Sequence, residues 1–174
     1  MGDFALTSAD VKQNLIMWSD YYQRLIFPYF DETGLIGWQG RYLGDGEKSK
    51  WFSQGDLKEI LHVVGNKRSR VCVLVEDIVS AIKVGHNPSV CAVPLFGSHV
   101  SMSKFLKLKK KFDTILIWLD KDVQVKAVKY SSMGRMIGLD VRNIITDSDP
   151  KTYTDLEIGD ILNGITTDKI PAVV

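Results

Sequence analysis

The pattern of apolar residues changes at Val71. From there the chain carries three apolar runs, VCVLV (71–75), VCAVPLF (90–96) and TILIWL (114–119), and a shorter fourth run, VRNIIT (141–146). Such runs are typical of strands buried on both faces of a parallel sheet. The segments between them are compatible with helices over 77–84, 101–111 and 123–137. This alternation predicts consecutive βαβ units with right-handed crossovers, and hence a small doubly wound α/β domain.

The residues before Val71 predict a smaller α+β part. Apolar positions near a 3.6-residue period, behind a capping Thr7 or Ser8, predict an amphipathic helix over 7–23. Two β-rich runs then flank the sequence DETG (31–34), whose polar residues are typical of a tight hairpin turn. A third short run at 50–53 extends the same sheet.

Gly55, Gly65 and the polar stretch 66–70 indicate a boundary in the middle of the chain. We therefore expect an α+β subdomain over 1–67, the α/β domain over 68–150 and a helical tail over 151–174. In the tail, Thr154 and Glu157 have the spacing of a capping box, which predicts a helix over 154–162.

Composition excludes several classes of protein. The 174 residues suit one domain with a small appendage, and 22 Lys and Arg against 21 Asp and Glu give no global charge that favours nucleic acid or membrane. Cys72 and Cys91 are the only cysteines, too few for a disulfide framework or a zinc site built from cysteine pairs. The first residues lack the features of a secretory signal, and no apolar run approaches the roughly 20 residues of a membrane span. We expect a soluble protein of the cytoplasm with no membrane partner.

Acidic residues follow three of the four apolar runs. In an open parallel sheet the ligand site lies beyond the carboxyl ends of the strands, where these residues are expected. They are Glu76 and Asp77, then Asp120 and Asp122, and finally Asp147 and Asp149. Clustered carboxylates repel one another unless a cation neutralises them, and a set of hard oxygen ligands suits magnesium. The pattern predicts a magnesium site.

An alternative interpretation needs no metal. Acidic residues are common at helix N-termini, where they cap the helix and complement its dipole. Asp77, Asp147 and Asp149 suit this interpretation well. Glu76 and the pair Asp120/Asp122 suit it less well, because they directly follow runs that should be fully buried.

The acidic motifs resemble a known family. VLVEDIVSA, PLFGS and ILIWLDKD, in this order and at these intervals, resemble the TOPRIM domain shared by bacterial-type DNA primases, type IA and II topoisomerases and some nucleases. The resemblance implies a Rossmann-like parallel sheet, Glu76 as the acid/base or metal-organising glutamate, and Asp120 and Asp122 as ligands of Mg²⁺ or Mn²⁺. It also implies that Gly97 is the glycine of the turn after the second strand.

The first part is similar to the segment that precedes TOPRIM in phage and bacterial (DnaG-like) primases. RLIFPYFDETGLIGWQGRYLG followed by KWFSQG carries this similarity, and it implies that Arg41 and Lys50 help to bind the nucleotide or the template. The later DPKTYTD resembles an acidic stretch of phage primases, which makes Asp149 a further acid on the metal side. Asp77, Ser80 and Val125 depart from the family pattern of Gly, Asp and Gly at these positions.

The resemblance implies a primase catalytic core without the zinc-binding or helicase parts of larger primases. It would synthesise short RNA primers on single-stranded DNA from ribonucleoside triphosphates, together with a replicative helicase or a separate template-reading subunit, in the host cytoplasm if a bacteriophage encodes it. A small TOPRIM nuclease remains an alternative. So does a catalytically inactive TOPRIM module that binds nucleic acid or a replication partner.

A lysine-rich segment is a second candidate nucleic-acid site. Residues 100–135 contain nine Lys or Arg against three Asp or Glu, including Lys104, Lys107, Lys109, Lys110 and Lys111. The asymmetry indicates a nucleic-acid patch or, alternatively, an ordinary solvated helix face. Trp118, inside an apolar run, is expected in the core, while Trp38 and Trp51 could either stack on bases or pack internally.

Overall fold

The computed structural model describes residues 6–167. They form two compact units, one extending to His62 and the other beginning at Val63. The division lies a few residues before position 67, the boundary expected from the sequence. The C-terminal helix packs against a helix of the second unit and belongs to it.

The first unit is a four-stranded antiparallel sheet preceded by a short helix. Its strands lie side by side in chain order. The elements are α1 (Ser8–Gln13), β1 (Met17–Ser19), β2 (Arg24–Asp31), β3 (Gly34–Tyr42) and β4 (Trp51–Gln54). In the turn between β2 and β3, Thr33 N and Oγ1 donate to Asp31 Oδ1 at 2.7 and 2.6 Å, and Gly34 has a φ of 121°. The hairpin expected around DETG is confirmed.

The first helix is much shorter than its periodicity predicts. It ends at Gln13, and Leu15 adopts a φ of 53°, which breaks the helical path. The chain then turns into β1, where Met17 pairs with Ile26 and Trp18 with Leu25. The prediction of a helix as far as residue 23 was wrong, because strand pairing to β2 outweighs the local periodicity.

The second unit is a mostly parallel five-stranded sheet flanked by helices, as expected. The strand order is β5-β7-β6-β8-β9, and only β5 is antiparallel to its neighbour. The strands are β5 (Val64–Gly65), β6 (Val71–Val75), β7 (Cys91–Pro94), β8 (Thr114–Ile117) and β9 (Asp140–Asn143). The helices are α2 (Ile78–Gly85), α3 (Met102–Lys109), α4 (Gln124–Met136) and α5 (Asp155–Thr167), with 3₁₀ turns at Lys121–Val123 and Pro150–Thr152.

The core of this unit lies on both faces of the central strands. β6 and β8 are almost completely buried, which explains their continuous apolar sequences. Trp118 is 0% exposed and its Nε1 donates to Thr146 Oγ1 at 2.8 Å, so its predicted place in the core is confirmed. Cys72 and Cys91 are buried free thiols at paired positions of β6 and β7.

The strand order creates a switch point between β6 and β8. After β6 the chain adds β7 on one side, then returns across the sheet to add β8 and β9 on the other. Ligands of doubly wound sheets bind at such a point, beyond the carboxyl ends of the strands. Within residues 6–167, no helix is long and apolar enough to cross a membrane.

Candidate active site

Glu76 and Asp120 lie at the switch point. Glu76 directly follows β6. Asp120 comes two residues after Trp118, whose backbone N–H donates to Leu74 O at 2.9 Å. Because β6 and β8 are parallel neighbours in register, their ends bring both carboxyl groups to one edge of the sheet. The structure therefore brings together two acids that are 44 positions apart in the sequence, at positions 76 and 120.

Asp77 has two roles at this edge. Its Oδ1 accepts from Ser80 N at 2.8 Å and caps α2, as the alternative interpretation expects. Its Oδ2 accepts from Lys151 Nζ at 3.0 Å. The side chain is 17% exposed, so it belongs to the interior of the acidic cluster as well as to the helix cap.

Lys151 is the central cation of the cluster. Its Nζ lies 3.0 Å from Asp77 Oδ2, 3.0 Å from Asp120 Oδ2 and 3.2 Å from Asp149 Oδ2. The 3₁₀ turn Pro150–Thr152, which packs on α2, holds the lysine there. The sequence alone did not identify Lys151 as a site residue. The sequence feature that could have indicated it is its position directly after Asp149-Pro150, at an edge of the sheet already expected to be acidic.

Two carboxylate oxygens in the cluster are buried without a hydrogen-bond partner: Glu76 Oε1 and Asp120 Oδ1. Burial, together with the charges of Asp120, Asp122 and Asp77, raises the pKa of Glu76 to about 7. Burial also raises the pKa of Asp120 to about 6, although Lys151 acts in the opposite direction. A cation beside the unpartnered oxygens would stabilise the charged forms of both acids.

Burial disfavours the charge on Lys151, but the pKa of its ammonium is nevertheless raised, because Asp77 and Asp120 bind the charged form. The lysine is therefore a permanent positive charge at neutral pH. It neutralises part of the repulsion within the cluster.

The donor set at this edge suits a hard divalent cation, but the side chains do not converge on one point. Among the described residues, no group of three or more His, Cys, Asp or Glu side chains is arranged to hold a metal ion. Asp149 and Asp77 instead contact Lys151, and Asp122 is exposed in the 3₁₀ turn after Asp120. The unpartnered oxygens of Glu76 and Asp120 are the atoms that best fit Mg²⁺ or Mn²⁺. Asp147 is exposed and pairs loosely with Lys121 at 3.6 Å.

Gly97 connects the end of β7 to Glu76. Its N–H donates to Glu76 O at 3.1 Å, which ties the turn after β7 to the end of β6. Gly97 has a φ of 134°, a conformation that favours glycine, and Phe96 before it also has a positive φ of 58°. The turn thus fixes the backbone from which the Glu76 side chain projects.

Arg41 and Lys50 lie together in the first unit. With Lys48 and residues 42–46 they line an open pocket of ≈ 320 Å³. Arg41 is buried and its guanidinium lies 5.1 Å from the ring centre of Trp51, whereas Lys50 is exposed. Trp51 also packs on Phe27 at 5.8 Å, so it is mainly a packing residue.

Trp38 belongs to an aromatic cluster on the sheet of the first unit. Its ring lies 4.8 Å from Tyr22 and 5.5 Å from Phe52. Phe52 is 46% exposed, so this side of the cluster is open to solvent.

The lysine-rich segment does not form a single surface. Lys104 is 0% exposed and its Nζ donates to Pro94 O at 3.3 Å, so its predicted place in a nucleic-acid patch was wrong. Helical geometry explains the difference, because Lys104 lies on the same inward face of α3 as Leu108. The others are exposed: Lys107, Lys109, Lys110 and Lys111.

Comparison with known proteins gives matches at the level of structure. No family model matches the chain, and no curated protein matches it by sequence. The zinc-binding and RNA polymerase domains of Aquifex aeolicus primase superpose with a TM-score of 0.65 at 19% identity, over 90% of this chain and 45% of that one. A DnaG primase catalytic domain bound to single-stranded DNA gives 0.64 at 15%, over 92% and 60%.

A phage protein has the same fold. The primase fragment of the bacteriophage T7 primase-helicase gives a TM-score of 0.60 at 14% identity, over 95% of this chain and 71% of that one. The chain spans less than two thirds of the Aquifex and DnaG structures. At these identities the likeness establishes architecture. It extends over the parallel sheet and its acidic edge, the end of the sheet that carries Glu76, Asp77, Asp120 and Asp149. The chain therefore has the TOPRIM-containing fold of DnaG-type DNA primase catalytic cores.

Proposed function

We propose that this chain is the catalytic core of a DNA primase that synthesises short RNA primers on single-stranded DNA. The observation that carries the proposal is the pair of unpartnered buried oxygens on Glu76 and Asp120, at the switch point of a primase fold. The reaction is nucleotidyl transfer. The 3′-hydroxyl of one ribonucleotide attacks the α-phosphate of an incoming ribonucleoside triphosphate, and pyrophosphate leaves.

Glu76 and Asp120 would hold the Mg²⁺ or Mn²⁺ ion that the reaction needs, with Asp122 beside them. The ion, when bound, would stabilise negative charge on the reacting phosphates. Their buried positions favour this role, because an unneutralised carboxylate is costly in a partly dry site. Gly97 keeps Glu76 in place through the backbone hydrogen bond. Asp149 is proposed to act through its contact with Lys151.

The pocket of the first unit is proposed to bind the phosphates of a nucleotide. Arg41, Lys48 and Lys50 line it, and Arg and Lys form charge-assisted hydrogen bonds to phosphate oxygens. Arg41 is fixed against Trp51, which limits the entropy lost on binding. Lys50 is exposed and able to follow the nucleotide.

The exposed lysines of the segment after Ser101 are proposed to attract the single-stranded template. Lys107, Lys110 and Lys111 are exposed, and phosphate contacts by lysine supply affinity without sequence preference. A replicative helicase or a separate template-reading subunit is the proposed protein partner, as for larger primases.

The alternative of an inactive module has one specific observation in its favour. Lys151 contacts three of the carboxylates, and no three acidic side chains of residues 6–167 converge on a metal position. The nuclease alternative is weaker, because primase structures match across 90% or more of the chain, including the sheet of the first unit.

A template-directed synthesis experiment separates the three functions. The protein is incubated with single-stranded DNA, labelled ribonucleoside triphosphates and Mg²⁺ or Mn²⁺, with and without the cognate helicase. Glu76→Gln and Asp120→Asn should abolish the RNA products, while Asp147→Asn, a control at the same edge, should retain them. Degraded DNA would favour the nuclease. Intact DNA binding without either product would favour the inactive module.

A further inference from the structure

Two sets of carboxylate oxygens can be distinguished at the acidic edge. The first set contacts Lys151 Nζ and comes from Asp77, Asp120 and Asp149. The second set consists of Glu76 Oε1 and Asp120 Oδ1, which are buried and have no hydrogen-bond partner. Asp120 belongs to both sets, one oxygen to each. The Nζ of Lys151 is one position of positive charge at this edge, and the oxygens of the second set, which shares Asp120 with the first, are the candidate for another.

We infer that Lys151 is a tethered cation that permanently fills one of these two positions, so that the chain binds a single exchangeable divalent ion. The inference rests on the metal-dependent function proposed above. It makes Lys151 a positioning residue. Its ammonium holds Asp77, Asp120 and Asp149 in place, while the ion occupies the position beside Glu76 and Asp120.

The surroundings of Lys151 distinguish it from an ordinary surface ion pair. Its side chain is 21% exposed, and those of Asp77 and Asp120 are 17% and 16% exposed. By contrast, Lys121 and Asp147 pair at 3.6 Å with side chains 65% and 99% exposed. Pro150, which is buried, anchors the turn that carries Lys151. The ammonium is therefore held by the fold.

The chemistry of the two positions also differs. An ammonium donates at most three hydrogen bonds, and Lys151 has three carboxylate oxygens around it. The second position presents oxygens from only two side chains, which suits an ion that keeps several waters or binds phosphate oxygens, as Mg²⁺ does. Removal of Lys151 would leave three facing carboxylates and create a second position for a divalent ion.

The test is the number of Mn²⁺ ions that the full chain binds without nucleotide. Isothermal titration calorimetry gives the stoichiometry, and the electron paramagnetic resonance signal of free Mn²⁺ checks it. The wild-type protein should bind one ion and Lys151→Ala should bind two. Lys121→Ala, the matched control on an exposed lysine, should bind one.

Two further variants keep the inference testable if Lys151→Ala does not fold. Asp149→Asn should still bind one ion with an affinity within about threefold of wild type, because Asp149 faces Lys151. Glu76→Gln should lose at least about tenfold in affinity. Loss of the ion in Asp149→Asn, two ions in the wild type, or one ion in a folded Lys151→Ala would overturn the inference while leaving metal dependence intact. Absence of Mn²⁺ binding in every variant would overturn both.

Discussion

Lys151 donates a hydrogen bond to Asp120 Oδ2 at 3.0 Å, while the other oxygen of the same carboxylate, Oδ1, is buried without a partner. One carboxylate is thus half neutralised by the protein. Burial, together with the charges of Asp149 and Asp77, raises the pKa of Asp120 to about 6 in spite of Lys151. The unpartnered oxygen of Asp120 is therefore the atom of this carboxylate that a second cation would stabilise.

Lys151→Met should destabilise the metal-free protein. Three carboxylates would then face one another without a counter-ion, and breaking a partly buried ion pair in this way costs about 2 to 3 kcal/mol. The midpoint of thermal unfolding, Tm, should fall by about 5 to 10 °C in EDTA at pH 7.5. Differential scanning calorimetry measures it. Lys121→Met should change Tm by about 1 °C or less, and an equal fall in both variants would contradict the central role of Lys151.

Glu76→Gln should stabilise the metal-free protein at neutral pH. Between 4.5, the ordinary pKa of a glutamic acid, and about 7, the unfolded chain loses its proton while Glu76 retains it. The native state then binds more protons, so its stability falls as pH rises through this window. With allowance for solvent screening, the loss amounts to about 1 to 2 kcal/mol.

Urea unfolding in EDTA at pH 4.5 and 7.5 measures this effect. Glu76→Gln should be more stable than wild type at pH 7.5 and nearly equal at pH 4.5. Glu47→Gln, at an exposed position of the first unit, should match wild type at both values. A gain at pH 4.5 as large as that at pH 7.5 would show that ionisation of Glu76 is not its cause.

The parallel sheet and its acidic edge could be predicted because their signals are local. The apolar runs of β6, β7 and β8 mark buried strands, and Glu76 and Asp120 follow two of these runs. The length of α1 could not be predicted in this way, because Met17–Ser19 becomes a strand only through pairing with β2. The periodicity of residues 7–23 contains no information about that partner.

Lys151 and Lys104 show two different limits of prediction from the sequence. The role of Lys151 depends on the packing of Pro150–Thr152 against α2, a contact between segments about 70 residues apart. For Lys104, by contrast, a local signal existed: it lies four residues before Leu108, on the apolar face of α3. The prediction used only the number of lysines in the segment and did not take this spacing into account.

Lys104→Met and Lys110→Met should have opposite effects. Lys104 donates to Pro94 O and lies 5.6 Å from the ring centre of Phe96, so its loss should lower the free energy of unfolding by about 1 to 3 kcal/mol. It should leave the affinity for single-stranded DNA unchanged. Lys110 is exposed, so its loss should spare stability and weaken DNA binding.

Fluorescence anisotropy with labelled oligonucleotides at several salt concentrations tests the second effect. Each lost phosphate contact should reduce the slope of log affinity against log salt by about 0.7. If Lys110→Met leaves both affinity and slope unchanged, the exposed lysines form only a solvated helix face. If Lys104→Met weakens binding as much as Lys110→Met, the two lysines do not have the separate roles assigned to them.

Lys50→Ala should weaken nucleotide binding without loss of stability. The side chain is exposed at the pocket of the first unit, and one charge-assisted hydrogen bond to a phosphate corresponds to about tenfold in Kd. Calorimetric titration with a ribonucleoside triphosphate measures Kd, and Tm checks the fold. Lys12→Ala, on α1 of the same unit, should leave both unchanged. Equal weakening in the two variants would indicate non-specific attraction.

Gly97→Ala should weaken Mn²⁺ binding at the acidic edge more than its effect on stability suggests. No atom lies within 4 Å of the added Cβ, so the cost comes from the backbone, whose φ of 134° is strained for alanine by about 1 to 3 kcal/mol. Relief of that strain would move the Gly97 N–H away from Glu76 O and release the end of β6. The affinity for Mn²⁺ should therefore fall several-fold.

Gly34→Ala is the matched control for this variant. Gly34 has a φ of 121° and equally open space around its Cβ, but it lies in the hairpin turn of the first unit. Both substitutions should lower Tm by similar amounts, because the backbone strain is alike. Only Gly97→Ala should lower the affinity for Mn²⁺ in a calorimetric titration. If both variants lose affinity equally, the loss reflects general destabilisation, and the hydrogen bond from Gly97 to Glu76 does not position the site.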